Sequence, residues 1–263
     1  MPSQKLDSIT GKAPGIVGPV FDHVTIRVSD RAASERFYNT VLPTVGLEEP
    51  SFAEPYPEWG DFSLAQATEE QPVTRRLHVA FFAPSRAVVD EFWRVGTEAG
   101  YRDDGAPGPR PQYSDDYYGS FLLDPDGNSA EAVHHGRTRE AGRIDHLWIR
   151  VADVSASRRF YETIAPYAGL RLANVLPERV HFAGAGSSFG LVAGKPTEQL
   201  HMAFPAADDD VVRAFHHAAT EAGYRDNGAP GERGVYHPGY YGAFVLDPDG
   251  NNVEVVNHNR RTS

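Results

Sequence analysis

Apolar and polar residues alternate in the segment DHVTIRV, which occupies residues 22–28. In an extended chain its valines and its isoleucine share one face, and the opposite face carries His23, Thr25 and Arg27. Alternation with a period of two is typical of a β-strand that packs one face against a core. The sequence therefore predicts a strand whose less apolar face presents a histidine.

Helical spacing replaces this alternation directly after the strand. The segment SDRAASERFYNTVL places Ala33, Phe37 and Val41 on one helical face. Ser29 or Asp30 can cap its first turn. A strand followed at once by an amphipathic helix is therefore predicted at the start of the fold.

The same order of elements follows in the next segment. RRLHVAFFA predicts a strand, and SRAVVDEFWRVGTEAG predicts a helix that Gly100 can close. YYGSFLLDPDGNSAEAV predicts a hairpin around an Asp-Pro-Asp-Gly turn, because Pro presets φ and Gly tolerates positive φ. This part of the chain is thus predicted to contain two strand–helix–strands units.

All of these landmarks occur twice. FDHVTIRVSDRAASERFY (residues 21–38) returns as IDHLWIRVADVSASRRFY (residues 144–161), and the two Asp-Pro-Asp-Gly turns begin at Asp124 and Asp247. EAGYRDDGAPG likewise returns as EAGYRDNGAPG, and every pair is 123 residues apart. A repeat that keeps one register over so many landmarks indicates an internal duplication.

The duplication sets the predicted domain boundaries. We expect a flexible tail over residues 1–18, a first domain over 19–136 and a second domain over 143–259. The polar, glycine-punctuated segment HHGRTREAGR (residues 134–143) is the predicted linker.

Composition excludes several classes of function. The net charge of −11, with no basic cluster longer than two arginines, gives no surface for nucleic acid or anionic membranes. No apolar run is long enough to span a bilayer and the first residues lack a signal-peptide core, so we expect a cytoplasmic protein. Because cysteine is absent, any chemistry must come from His, carboxylates, Tyr or a bound ion.

Each copy places two histidines and one glutamate in predicted strands, at the same spacing. The two sets are His23, His78 and Glu131 in the first copy, and His146, His201 and Glu254 in the second. A single strand histidine is more often a hydrogen-bonded core or rim residue than a ligand, but repetition of the whole set favours a shared role. A carboxylate in an apolar strand is costly unless it is paired or binds a cation. Two imidazoles and one carboxylate form a three-ligand site for a divalent ion such as Fe, Mn or Zn, with positions open to substrate.

The segments that carry these residues resemble the vicinal oxygen chelate superfamily, which includes glyoxalase I, extradiol dioxygenases, fosfomycin-resistance proteins and bleomycin-binding proteins. The matching features are DHVTIRV, LHVAF and DPDGNSAEA with their second-copy partners, and they cover the chain from about residue 20 to 258. The resemblance implies an α+β fold of tandem domains, each built from two βαβββ modules that form an open eight-stranded cup around one divalent metal (Fe, Mn, Zn, Ni or Co). We expect each copy to form its own cup and site; the alternative is exchange, in which His23 joins His201 and Glu254.

The subclasses of the superfamily make different demands on the sequence. Extradiol enzymes carry a catalytic Tyr where this chain has Phe121 and Phe244, which argues against ring cleavage. Glyoxalase I adds an acidic ligand, for which Asp61 is the nearest candidate, but its counterpart is Ser188. The residues available for a phosphonate lack the spacing of fosfomycin-type proteins; they are Arg110, Tyr113 and Ser114.

The function implied by the resemblance is a divalent-metal enzyme, a lyase, isomerase or dioxygenase, whose small substrate chelates the metal through adjacent oxygens. The alternative is a small-molecule or antibiotic binding protein without catalysis. A homodimer is compatible with the sequence.

Further residues are predicted from strand parity to line the substrate pocket. They are Thr25, Arg27, Tyr117, Phe121, Trp148, Arg150, Tyr240 and Phe244. Six further histidines show no matched pattern between the copies and are predicted to lie at the surface; they are His134, His135, His216, His217, His237 and His258.

Overall fold

The computed structural model describes residues 20–48, 50–53, 56–136 and 142–259. The predicted tail and residues 137–141 of the predicted linker lie outside this part of the chain. The described residues form four modules that each run strand, helix and three further strands, as the resemblance implied.

The two modules of the first copy have the following bounds. Module 1 contains β1 (His23–Val28), α1 (Arg31–Val41), a 3-10 turn (Leu42–Val45), β2 (Ser51–Ala53), β3 (Tyr56–Trp59) and β4 (Phe62–Gln66). Module 2 contains β5 (His78–Phe82), α2 (Arg86–Glu98), β6 (Arg102–Pro109), β7 (Tyr118–Leu123) and β8 (Ser129–His134).

The second copy repeats this order. Module 3 contains β9 (Ile144–Val151), α3 (Val154–Ile164), β10 (Arg171–Leu176), β11 (Arg179–Ala183) and β12 (Ser188–Ala193). Module 4 contains β13 (His201–Pro205), α4 (Asp209–Glu221), β14 (Asp226–Glu232), β15 (Tyr241–Leu246) and β16 (Asn252–Asn257).

The sequence patterns account for these elements. In β1 the three predicted apolar positions are fully buried, and the face that carries His23 is only partly buried. Asp30 caps α1 by accepting from the Ala33 backbone N–H, and Ser85 caps α2 in the same way. Gly100 adopts φ 87° just beyond α2, a left-handed conformation that favours glycine.

The modules assemble into two mixed eight-stranded sheets, each built from two modules, as the resemblance implied. Sheet 1 has the order β14-β15-β16-β13-β1-β4-β3-β2, and sheet 2 has the order β10-β11-β12-β9-β5-β8-β7-β6. Sheet 1 therefore combines modules 1 and 4, and sheet 2 combines modules 2 and 3. The antiparallel pairs β1–β13 and β5–β9 join the modules within each sheet.

This arrangement shows that the expectation of one cup per copy is wrong, because each sheet takes one module from each copy. The segments that connect the modules within the two copies pair with each other. The backbones of Arg75 and Glu198 form an antiparallel bridge, and the Thr74 hydroxyl donates to the carbonyl of Gln199 at 2.7 Å. Thr197 makes the equivalent bond to the carbonyl of Arg76 at 2.9 Å. These hydrogen bonds join the connector of one copy to that of the other, and they contribute to the stability of the exchanged arrangement.

One apolar core runs between the sheets, and contacts within each copy cross it. Helix α1 packs on α2, although their modules belong to different sheets. The buried Tyr38 hydroxyl of α1 donates to Asp124 in the turn of module 2, and Tyr161 bonds Asp247 in the same way. None of the α-helices in the described residues combines the length and apolar content needed to cross a membrane.

Candidate metal sites

The first candidate site, site 1, lies where β1, β13 and β16 run side by side in sheet 1. It contains His23, His201 and Glu254, whose ligand atoms all lie within 4.8 Å of one another. The Nε2 atoms of the two histidines are 3.0 Å apart. Oε2 of Glu254 lies 3.1 Å from Nε2 of His201 and 3.6 Å from Nε2 of His23.

The second candidate site, site 2, repeats this geometry on β5, β8 and β9 of sheet 2. It contains His78, Glu131 and His146, again within 4.8 Å of one another. Nε2 of His78 lies 3.3 Å from Nε2 of His146, and Oε2 of Glu131 lies 2.9 Å and 3.4 Å from these two nitrogens. All six predicted ligands thus meet in threes, but in exchanged sets.

These separations fit three ligands of one divalent ion. With metal–ligand bonds of about 2.1 Å, neighbouring ligands are separated by about 3.0 Å at a right angle and about 3.4 Å at the tetrahedral angle. The six distances in the two sites run from 2.9 to 3.6 Å. Two nitrogens and one carboxylate oxygen also suit Fe, Mn, Zn, Ni and Co. The donor sets therefore fit the group that the superfamily implies.

Two aspartates orient one histidine in each site. Nδ1–H of His23 donates to Asp22 at 2.9 Å, and Nδ1–H of His146 donates to Asp145 at 2.9 Å. A proton on Nδ1 leaves the lone pair of Nε2 directed at the site, which is the tautomer a metal ligand needs. Sequence reasoning missed both aspartates, although the repeated Asp-His pair in FDH and IDH was a usable signal.

The remaining histidine of each site has a different partner on Nδ1. Nδ1–H of His78 donates to the Ser129 hydroxyl at 3.3 Å, which donates in turn to Asp104 at 2.9 Å. In site 1 the Asn252 amide nitrogen lies 2.7 Å from Nδ1 of His201. Asn252 also accepts from the Asn227 amide nitrogen at 2.9 Å, so half a turn of both amides would present the oxygen of Asn252 to Nδ1–H of His201 and support a ligand tautomer.

Two histidines that were predicted to lie at the surface instead bond the aspartates that orient the ligand histidines. His258 Nε2 bonds Asp22 at 2.8 Å, and His135 Nε2 bonds Asp145 at 3.1 Å. Both are partly buried. They are themselves 123 residues apart, so the expectation that they lack a matched pattern is wrong. His135, Asp145 and His146 also lie close enough together to form a candidate ion group, but that group shares His146 with site 2.

The other four histidines in that prediction differ from one another in exposure. His217 is exposed as predicted, whereas His134, His216 and His237 are partly buried. His237 extends the chain of bonds behind site 1, because its Nε2 lies 2.8 Å from Nδ1 of His258.

The two glutamates are buried and anchored by tyrosines. The hydroxyl of Tyr117 donates to Oε1 of Glu131 at 2.6 Å, and that of Tyr240 donates to Oε1 of Glu254 at 2.7 Å. Burial, and then the adjacent carboxylate, raises the pKa of both tyrosines far above the usual value. These phenols therefore hold the carboxylates and do not ionise, and Oε2 is left facing the histidines.

Site 2 carries a strong internal ion pair. Burial alone would raise the pKa of the Glu131 carboxyl, but hydrogen bonds from His146 and His78 lower it to about 2. Burial likewise disfavours a charged His146, yet Asp145 and Glu131 raise its pKa to about 9. In site 1 burial lowers the pKa of His201, whereas Asp22 and Glu254 overcome burial and raise that of His23.

Among the predicted pocket residues, the two phenylalanines lie near ligand histidines and the two arginines differ in exposure. The rings of Phe121 and Phe244 stand 5.9 and 6.2 Å from the rings of His78 and His201. Arg27 is partly buried and donates to Gln71, but Arg150 is exposed.

Asp61, the candidate for a fourth acidic ligand, belongs to neither three-residue group. Its carboxylate accepts from the backbone N–H groups of Arg143 and Ile144, at distances from 2.8 to 3.2 Å. Asp61 therefore holds the start of β9 and does not face a metal site.

Comparison with known families agrees with this architecture. Residues 20–132 and 143–255 match the family model of the Glyoxalase/Bleomycin resistance protein/Dioxygenase superfamily. The chain belongs to this superfamily and carries its domain twice. No curated protein matches the chain.

Two solved structures are similar to the chain at low sequence identity. Glyoxalase I from Zea mays is 20% identical, with a TM-score of 0.64 over 90% of this chain and 92% of its own. The Mn(II)-bound glyoxalase from Novosphingobium aromaticivorans is 19% identical, with a TM-score of 0.41 over 91% of this chain and 82% of its own. The likeness to the maize protein concerns the fold alone.

Proposed function

We propose that the chain is a divalent-metal enzyme with two sites, and that each site binds a small substrate through two adjacent oxygens. The observation that carries the proposal is the convergence of two Nε2 atoms and one carboxylate oxygen in both sheets. In three of the four histidines Nδ1–H already has an acceptor, so Nε2, which faces the other two residues of the site, is the nitrogen that would bind an ion.

The protein groups define what each site can do. Two neutral imidazoles and one carboxylate leave a divalent ion with a net charge of about +1, which favours a substrate with anionic oxygens. The bound ion would act as a Lewis acid toward oxygens of the substrate. Tyr117 and Tyr240 fix the orientation of the glutamates, and Asp22 and Asp145 fix the rings of His23 and His146.

A lyase or isomerase reaction is favoured over ring cleavage. The side chains beside His78 and His201 are Phe121 and Phe244, and a phenyl ring offers no proton to an oxygenated intermediate. Stabilisation of an enolate, by contrast, would draw on the ion as a Lewis acid and needs no side-chain proton donor at these positions.

Metal analysis and a proton-exchange assay test the proposal together. We expect two divalent ions per chain after reconstitution, and no tightly bound ion in the double variant Glu131→Gln with Glu254→Gln. Glu221→Gln, which changes an exposed glutamate, is the matched control. Loaded protein should exchange the C2 proton of a 2-hydroxyketone for deuterium, whereas oxygen uptake with catechols should be absent. Wild-type protein that binds no divalent ion would overturn the proposal, and metal-loaded protein without turnover would favour a binding protein.

A further inference from the structure

The two sites differ at the position two residues after their first histidine, on the face of the sheet that carries the ligands. Thr25 follows His23 on the site face of β1, and Trp148 follows His146 on the site face of β9. In site 1 the Thr25 hydroxyl lies 2.7 Å from the hydroxyl of Ser63 on β4. The floor of site 1 is therefore small and polar at this position.

In site 2 the corresponding position carries the indole ring of Trp148. Gly190 is the register partner of Trp148, as Ser63 is of Thr25. A Cβ atom at Gly190 would lie only 2.2 Å from the indole Cε3 and 2.3 Å from Cζ3. The ring thus lies on the glycine backbone, in space that any other side chain would occupy. Trp148 and Gly190 form a matched pair.

Aromatic and cationic groups surround this indole. The His181 ring stacks on it at 5.8 Å with an angle of 12° between the planes, and the Arg179 guanidinium stands 4.7 Å over it. Burial lowers the pKa of His181 to about 4, so the imidazole is neutral at physiological pH. In site 1 the strand register puts Glu58 and Tyr56 at the positions of His181 and Arg179. Site 2 is accordingly the more aromatic and the more cationic.

The residue that carries this indole is also a strand neighbour of a metal donor. Trp148 is the cross-strand partner of His78, and the Phe121 ring stands 5.9 Å from the His78 ring. Arg110 covers Phe121 at 5.4 Å. Site 1 has the same arrangement of Phe244 beside His201 with Arg233 over the ring, so Trp148 and not the phenyl ring distinguishes the two sites.

We propose that Trp148 makes site 2 selective for anionic chelators that carry an aromatic ring, while site 1 shows no such preference. The proposal rests on the metal-binding function proposed above. Trp148 is only partly buried, so a ligand ring can contact the part of the indole that Gly190 and Arg179 leave exposed. This contact adds to the affinity set by chelation, and we expect a preference of about tenfold. Arg179 provides a cation for the carboxylate or for the ring face of the same ligand.

Single-site proteins and a matched pair of acids test this directly. Glu254→Gln leaves site 2, and Glu131→Gln leaves site 1, so each zinc-loaded protein should hold one ion. Mandelate and lactate share the same 2-hydroxycarboxylate and differ by phenyl in place of methyl. In calorimetric titrations we expect the site 2 protein to bind mandelate about tenfold more tightly than lactate, and the site 1 protein to bind both about equally.

Variants at Trp148 identify the source of the preference. Trp148→Phe should keep most of it, while Trp148→Thr with Gly190→Ser, which copies site 1, should abolish it and retain one zinc ion. Equal binding of the two acids at site 2, or binding there only after Trp148→Thr, would overturn the inference while the metal site stood. Absence of zinc from both single-site proteins would overturn the metal sites and the inference together.

Discussion

His23 and His201 face each other with their Nε2 atoms 3.0 Å apart, although they belong to different copies of the repeat. His78, the other candidate ligand histidine of the first copy, instead has its Nε2 atom 3.3 Å from that of His146. Each candidate site therefore depends on both halves of the chain. An isolated half would retain two histidines and one glutamate, but these residues lie on two different sheets, and each sheet would lack its second module.

Replacement of Glu254 by Gln should weaken metal binding at site 1 alone. The change keeps the shape and the acceptor for Tyr240 but removes the anion, so we expect affinity to fall by roughly one to three orders of magnitude. Site 2 should keep its affinity, because Glu131 lies in the other sheet. Calorimetric metal titration should then show one tight site and one weak site. Two unchanged sites would show that Glu254 is not a ligand.

Metal-free Glu254→Gln protein should be about as stable as the metal-free wild type. Burial of this carboxylate is costly without a cation, while its proximity to His23 and the hydrogen bond from Tyr240 offset that cost. A neutral amide of the same shape removes the cost and keeps an acceptor for Tyr240. Thermal melting in the presence of a chelator measures the effect. A purely structural role for Glu254 predicts the opposite pair of results, a lower melting temperature with normal metal binding.

Asp145 should set the affinity of site 2 through the ring of His146. Asp145→Asn removes the anion that receives Nδ1–H, and we expect metal affinity at this site to fall 10- to 100-fold. Asp22→Asn should have the same effect at site 1 only. His217→Gln, at an exposed position, provides the control in the same titrations. An equal loss at both sites from either single aspartate variant would contradict the pairing seen in the structure.

Metal binding at site 2 should strengthen as the pH rises toward 9. The pKa of His146 is raised from 6.5 to about 9, so a proton competes with the metal over this range. Metal titrations of Glu254→Gln protein at several pH values between 6.5 and 9.5 test this expectation. An apparent affinity that does not change across this range would show that His146 binds no proton in competition with the metal.

The same histidine should make the metal-free protein less stable at alkaline pH. A histidine whose pKa is higher in the folded chain contributes its full stabilisation below its ordinary value of 6.5, and loses it as the pH rises through about 9. Melting temperatures of metal-free protein should therefore decline over this interval. The decline should be smaller in His146→Gln, and an equal decline in both proteins would contradict the assignment.

Gly242 and Gly119 should be intolerant of a methyl group. A Cβ atom at Gly242 would lie 2.6 Å from Oε1 of Glu254, and one at Gly119 would lie 2.4 Å from Oε1 of Glu131. Gly242→Ala should displace the glutamate, reduce metal binding at site 1 and lower stability by about 1–3 kcal/mol. Gly234→Ala, where no atom lies within 4 Å of the added carbon, should leave both properties unchanged.

The sequence was sufficient to predict the central strands, the helices and the six candidate ligands, because each has a strong local pattern that occurs twice. The edge strands β6 and β14 gave no such pattern. They are rich in Asp, Gly and Pro, largely exposed, and pair with β7 and β15 through interrupted registers. Their extended form comes from a neighbouring strand and cannot be inferred from their own residues.

The partnership between modules could not be predicted for a different reason. Because the two copies share their patterns, β1 presents nearly the same alternation to β5 as to β13, and either pairing would bury the same kinds of residue. The exchanged pairing is accompanied by contacts between connectors, such as that of Arg75 with Glu198, which no periodicity reveals. The bond between Asp22 and His258 could not be inferred either, because it joins residues at opposite ends of the chain, although both residues recur 123 positions away.

Metal stoichiometry in two double variants tests most directly whether the sites are built by exchange. His23→Gln with Glu254→Gln places both changes in site 1, so site 2 should survive and the protein should hold one divalent ion per chain. His23→Gln with Glu131→Gln places one change in each site, so the protein should hold no tightly bound ion. The reverse result, one ion in the second variant and none in the first, would contradict the account, because it would place His23 and Glu131 in the same site.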